Sequence, residues 1–140
     1  MERNRIVSTA REWLGTPFHH QGRVKGVGCD CAGLVVAVAK TLGLSSFDMM
    51  GYSRLPQGTL LEAVCDREMR RLADPTRAQL GDVLLFRMDL APQHLGIIGN
   101  YLHGGFSLIH AYAQARKVTE HALDATWTSR VVAAYSLLEA

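Results

Sequence analysis

Apolar positions at the start of the chain recur with a helical period. Ile6, Ala10, Trp13 and Leu14 fall on one face at i, i+4, i+7 and i+8, which predicts an amphipathic helix over residues 3–14. Gly15 is placed to cap that helix, and Pro17 prevents its continuation. Residues 15–29, GTPFHHQGRVKGVGC, hold four glycines and one proline and read as a loop. A second helix is expected from Cys31 to Leu42, with Asp30 at its N-cap and Gly43 closing it. A looser segment, 44–57, leads to a third helix over 58–72. Then the period shortens. GDVLLFRM (81–88), HLGIIGNY (94–101), FSLIHAYA (106–113), KVTEHAL (117–123) and SRVVAAYSL (129–137) are short, β-rich runs bounded by turn residues. Helices first and strands second predict an α+β fold, with N-terminal helices packed on a C-terminal antiparallel sheet of about five strands. No repeat, low-complexity stretch or linker interrupts the pattern, so residues 1–140 are expected to form one domain.

Composition changes this picture little, but it excludes several functions. At 140 residues and 48% hydrophobic content, the chain is large enough for a proper core. Its net charge is only +2, from 15 Lys and Arg against 13 Asp and Glu, with no basic block. Nucleic acid is therefore not the expected main partner, since phosphate binding needs clustered cations. The longest apolar runs fall well short of the ~20 residues a bilayer span requires. The N-terminus is charged throughout and has no apolar signal core, so synthesis in the cytoplasm without a signal peptide is expected. Three cysteines leave at least one thiol unpaired in a monomer, and Cys29 and Cys31 are too close to bridge usefully.

The candidate chemistry starts at Cys31. A cysteine opening a helix sits among unpaired N–H groups and at the positive end of the helix dipole, which favours a thiolate. An N–H at that turn can also donate to an oxyanion on an attacked carbonyl. For a base there are six histidines. His94 begins one expected strand and His110 nears the end of the next. A hairpin folded about residue 102, within the Gly-rich turn GNYLHGG, sets them opposite each other on one face. One imidazole can then act as base while the other orients it. Blander readings stand beside this one. Cys31 can be a core thiol, Cys29 a loop residue and Cys65 a core residue. The Cys29-x-Cys31 pair with His19 and His20 lacks structural zinc spacing, so no metal or cofactor is expected. His103 and His121 read as solvent-facing, and Asp82 as part of a turn into a central strand.

CDCAGL, GDVLLF, HLGII and LIHAY, in that order, resemble the NlpC family of cell-wall cysteine peptidases, which have a papain-like α+β fold. WLGTP at 13–17 is similar to the branch found in phage and prophage tails. The resemblance implies Cys31 as nucleophile, His94 as base and His110 as the third member. It implies cleavage of peptidoglycan stem peptides between D-γ-glutamate and a diamino acid, with Asp30 binding the substrate's free amine. Phage tail proteins are the implied partners, with action at the cell wall. Two positions depart from the family: Phe18 stands where many members have tyrosine, and Ala32 where many have serine. Each removes a hydrogen-bonding group from the expected substrate pocket, and His20, beside His19, is the candidate to replace it. A tail-assembly protein without catalysis, and a thiol acyltransferase or amidase on a non-wall substrate, remain open alternatives.

Overall fold

The structure is a computed structural model that describes residues 2–44, 60–88 and 91–138. Most of the segment expected to be loose, and the first two residues of the expected third helix, lie outside the described residues. Helix α1 spans Glu2–Arg11 and buries Ile6, Val7 and Ala10. It ends three residues earlier than expected. Residues 12–14 continue with tighter i→i−3 hydrogen bonds, such as Trp13 N–H to the Ala10 carbonyl. That tighter winding keeps Trp13 in the core but turns Leu14 outward, to 42% exposure.

Helix α2 (Cys31–Thr41) has Asp30 as its N-cap, whose carboxylate accepts from Gly33 N–H at 2.8 Å. Its C-terminus closes with Gly43 at φ +69° and bonds from Gly43 N–H to Lys40 O and Leu44 N–H to Ala39 O. Ala32, Leu34, Val35, Val36, Val38 and Ala39 are all buried, so α2 runs through the core. Helix α3 covers Leu60–Glu68.

Among the described residues the main sheet has six strands, not about five. Strands β4 (Val83–Met88), β5 (Ala91–Asn100), β6 (Phe106–Tyr112), β7 (Lys117–Ala122) and β8 (Val131–Ser136) match the expected runs. The sixth, β3 (Arg70–Arg71), lies in what the spacing assigned to the end of the third helix. Arg70 and Arg71 pair antiparallel with Ser136 and Tyr135 of β8. Two exposed arginines suit an edge strand, because charge discourages further pairing. The spatial order is β3-β8-β4-β5-β6-β7, antiparallel throughout. The Gly-rich loop also holds a small ribbon, β1 (Arg23–Val24) against β2 (Gly28–Cys29).

Two apolar clusters cover the two faces of this sheet. The larger joins α1, α2 and α3 to Val83, Leu85, Leu95, Ile97, Ile109 and Tyr135. The smaller contains Leu84, Phe86, Ile98, Leu108 and Trp127, the last from α4 (Ala125–Thr128). Central strand β4 thus buries both of its faces, which explains the unbroken apolar run VLLF. Its entry is pinned by Asp82, 2% exposed, whose carboxylate accepts from Arg3 at 2.8 Å and from Gln79 N–H at 2.8 Å. Among the described residues, no helix is long and apolar enough to cross a membrane.

Candidate functional site

Cys31 is the first residue of α2, and the backbone N–H groups of Leu95, Ala32 and Cys31 itself act on its sulfur in the direction that favours the thiolate. Helix α2 packs against β5, and the influence of Leu95 N–H places the nucleophile candidate near the residue that follows His94. The loop that folds over this helix start is held by Asp30. Its buried carboxylate accepts from Gly33 N–H, from Gln21 N–H at 2.7 Å and from Arg23 Nη1 at 3.2 Å. His20 Nδ1 stands 3.9 Å from the same carboxylate. Gly33 must be glycine, because a Cβ there would collide with the Gly22 carbonyl oxygen.

The thiol does not show the lowered pKa expected at a helix start. Burial, and then the negative charge of Asp30, push Cys31 up to about 12, against the opposing pull of the three N–H groups. A pKa raised that far favours the protonated thiol at neutral pH. All three cysteines are free, and burial likewise raises Cys29 to about 12.

His94 Nε2 and His110 Nδ1 are 2.6 Å apart, so the two rings form one hydrogen-bonded pair. The register that brings them together differs from the expected one. Ile97 pairs with Ile109 and Asn100 with Phe106, so the hairpin folds about residue 103. Gly104 (φ +100°) and Gly105 (φ +75°) both take left-handed conformations and move the turn centre by one residue. Each partner then shifts by two positions, which preserves the face. His94 and His110 are diagonal neighbours instead of directly opposed. Gly96 leaves the room, since a Cβ there would strike the Leu108 side chain and stand 3.3 Å from His110 Cβ. A β-bulge between Phe86 and Arg87 in the β4–β5 pairing adds local twist beside His94.

Both rings are buried, His94 at 7% exposure and His110 at 0%. Burial, then the nearby Arg130 guanidinium and the His121 ring, lower His94 to about 3. Burial, then the neighbouring His94 and His121 rings, lower His110 as well. At neutral pH both rings are uncharged. His94 Nδ1 makes no hydrogen bond among the described residues, which leaves its lone pair as a proton acceptor.

Two contributors were not legible from sequence spacing. His121, read as solvent-facing, is half-buried, and its Nε2 lies 2.8 Å from His110 Nε2. Trp127 packs its ring 5.8 Å from His94, 4.9 Å from His110 and 5.7 Å from His121. The period-2 pattern of KVTEHAL carries the one usable signal, since it puts His121 and Thr119 on one face of β7.

The remaining candidates are placed as follows. Phe18 is half-buried against the helix-side core, bridged to Cys29 and bonded through its N–H to Arg116 O at 2.8 Å. Ala32 is 1% exposed, so its methyl belongs to the core and its link to the site is its N–H. No group of three or more metal-binding side chains suited to an ion occurs among the described residues.

Chemically, the arrangement pairs a neutral thiol with a neutral, oriented imidazole on the neighbouring strand end, with backbone N–H donors around the sulfur. Such a set suits nucleophilic attack on a carbonyl with concerted proton removal.

Known structures share this scaffold. The NlpC/p60 domain of the peptidoglycan hydrolase SagA superposes with a TM-score of 0.65 at 23% identity, covering 97% of this chain and 99% of that one. An NlpC/P60 family protein from Bacillus cereus gives 0.71 at 21% identity over 97% of this chain, which spans 40% of that longer protein. An N-acetylmuramoyl-L-alanine amidase from Bacteroides uniformis gives 0.59 at 12% identity, covering 95% and 96%. These likenesses establish the fold. No curated protein matches the chain. The model of the NlpC/P60 family matches residues 15–136, from the glycine after the first helix to the last strand, and on that match the chain belongs to the NlpC/P60 family.

Proposed function

We propose that this protein is a cysteine peptidase that hydrolyses an amide bond in peptidoglycan stem peptides. The observation that carries the reading is the position of Cys31, at a helix start against the strand end where His94 is hydrogen-bonded to His110 at 2.6 Å. The Cys31 sulfur attacks the amide carbonyl as its proton passes to His94 Nδ1. His94 returns that proton to the leaving amine, while His110 holds the ring. Backbone N–H groups at the start of α2 stabilise the oxyanion, and water then releases the acyl group from sulfur. The hydrolase and amidase names among the similar structures support a wall substrate.

The bond between D-γ-glutamate and a diamino acid is the first candidate. A specific observation favours a second. Asp30, expected to take the substrate's free amine, already accepts from Gln21, Gly33 and Arg23. An incoming ammonium has to displace the Arg23 guanidinium, so a wall amide whose acyl side carries no free amine fits this site better. Attachment to a phage tail rests on the WLGTP likeness alone, and co-sedimentation with tail particles tests it.

Purified peptidoglycan of diaminopimelate and lysine types, digested with the native protein and with Cys31→Ala, tests the main reading. New fragments by mass spectrometry that vanish in the variant support it and identify the bond. No fragment from either wall type overturns it.

A further inference from the structure

A histidine as the third member of such a site carries an ambiguity that a carboxylate does not. Its ring can donate or accept at either nitrogen, so by itself it does not decide which nitrogen of the base holds the proton. The structure supplies a group that removes the ambiguity. His121 Nδ1 lies 2.9 Å from the Ala122 carbonyl oxygen, which only accepts, so Nδ1 carries the hydrogen. In a neutral ring, Nε2 of His121 is then the acceptor. It faces His110 Nε2 at 2.8 Å, which must donate. His110 Nδ1 is left as an acceptor and takes the hydrogen of His94 Nε2 at 2.6 Å. Each assignment forces the next. The chain ends at His94 Nδ1 with a bare lone pair.

We infer that His121 is a positioning residue of this site: anchored on the Ala122 carbonyl, it fixes the tautomers of His110 and His94 so that the base presents its unprotonated Nδ1. This rests on the reading of Cys31 and His94 as nucleophile and base. The three rings step diagonally across β5, β6 and β7 on one sheet face, since Leu108 pairs with His121 and His110 with Thr119. Trp127 packs against all three rings, and His94 and His110 are themselves buried, which limits competition by water for their nitrogens. The ionisable and charged groups facing the chain are Tyr112, 5.1 Å from His110, and Arg130, which stacks 5.1 Å over Trp127 and bears on His94. Glu120 points elsewhere, to Arg11 and Ser107. During attack, the thiol proton moves to His94 Nδ1 and the sulfur electron pair forms the new bond to carbon. The His94 Nε2–H stays on its ring, and no proton has to travel along the chain.

Nitrogen-15 NMR of the ring nitrogens, with alkylation of Cys31 by iodoacetamide across pH, tests the assignment without a wall substrate. In the native protein, His94 and His110 should carry hydrogen on Nε2, and His121 on Nδ1. His121→Ala should mix the His110 tautomers, lower Cys31 alkylation about tenfold near neutral pH and change its pH profile. His121→Gln can accept from His110 and donate to Ala122, and should restore the rate to within about twofold. Hydrogen on His110 Nδ1 in the native protein overturns the proposal, and this arm holds even where His121→Ala fails to fold. Folded Ala and Gln variants that both react like the native protein also overturn it. A protein that digests no wall yet shows the stated tautomers fails the peptidase reading alone, whereas a digesting protein with the opposite tautomer fails only the role of His121.

Discussion

Lowering the pH from 7 to 5 should cost the folded protein about 4 kcal/mol, and two buried rings set that figure. In the unfolded chain, His94 and His110 titrate near the ordinary ~6.5. In the fold, burial and nearby positive charge hold His94 at about 3 and His110 lower than its ordinary value too. Between those limits the unfolded state binds protons that the native state does not, so stability is full above about pH 6.5 and falls as pH drops toward the folded values. Integrating the proton uptake from 7 to 5 gives about 2 kcal/mol per imidazole. Only a folded pKa well under 5 is required of each ring. The window is also free of carboxylate effects: Glu120 and Asp66 are lowered in the fold, and their stabilisation is lost only below their unfolded values, near 4.5 and 3.8. Urea unfolding followed by tryptophan fluorescence at pH 7, 6 and 5 is the assay. With a slope of about 2 kcal/mol per molar, the midpoint should fall by about 2 M. His110→Gln should show roughly half that fall. A flat midpoint, or a full fall in the variant, refutes the claim that these rings are neutral and buried.

Three further outcomes follow from single contacts. Asp30→Asn keeps an acceptor for Gly33 N–H but removes a charge that raises the Cys31 thiol, so alkylation at about pH 9 should accelerate; an unchanged or slower rate gives the wrong sign. Gly96→Ala drives a methyl into Leu108 beside His110, which should cost about 1–3 kcal/mol in thermal unfolding and broaden the His94–His110 proton resonance. Wild-type behaviour in both would mean that β6 yields freely there. Glu120→Ala strips the acceptor from Ser107 Oγ, which is fully buried and donates at 2.6 Å, and releases the bidentate Arg11. A loss of about 1–3 kcal/mol is expected, partly recovered by adding Ser107→Ala; no loss would show that water satisfies Ser107.

What could be read from the sequence was local. Asp30 as cap, Cys31 as first helical residue and Gly43 as terminator depend on neighbours within a turn, and all three hold. Strands β4 to β8 were legible because Gly, Asn or Asp punctuates most of the joins between them. β3 was not, because Cys65, Met69 and Leu72 keep a helical spacing that Arg70 and Arg71 leave in order to pair with β8. The diagonal placement of His94 and His110 depended on the left-handed glycines 104 and 105, a backbone choice that composition suggests but does not locate. His121 and Trp127 reach the site through strand pairing and the packing of α4; spacing gives at most the face of β7 that carries His121. The thiol was misjudged for a different reason. The helix start does supply N–H donors, but burial and Asp30 outweigh them, and depth is a property of the finished core.

The protonated state of Cys31 bears on how such a protein survives before it meets its target. Peroxide and other oxidants react with thiolates far faster than with thiols. On the proposed mechanism, a sulfur held as a thiol and deprotonated only as a carbonyl arrives beside it would offer oxidants little to attack. Cys29 and Cys65, raised by the same burial, add no softer target nearby. On that same mechanism the cost is rate, since each turnover would have to carry the proton off before carbon–sulfur bond formation is complete. Slow oxidation and restraint toward stray electrophiles would then follow from the surroundings in which the second helix begins.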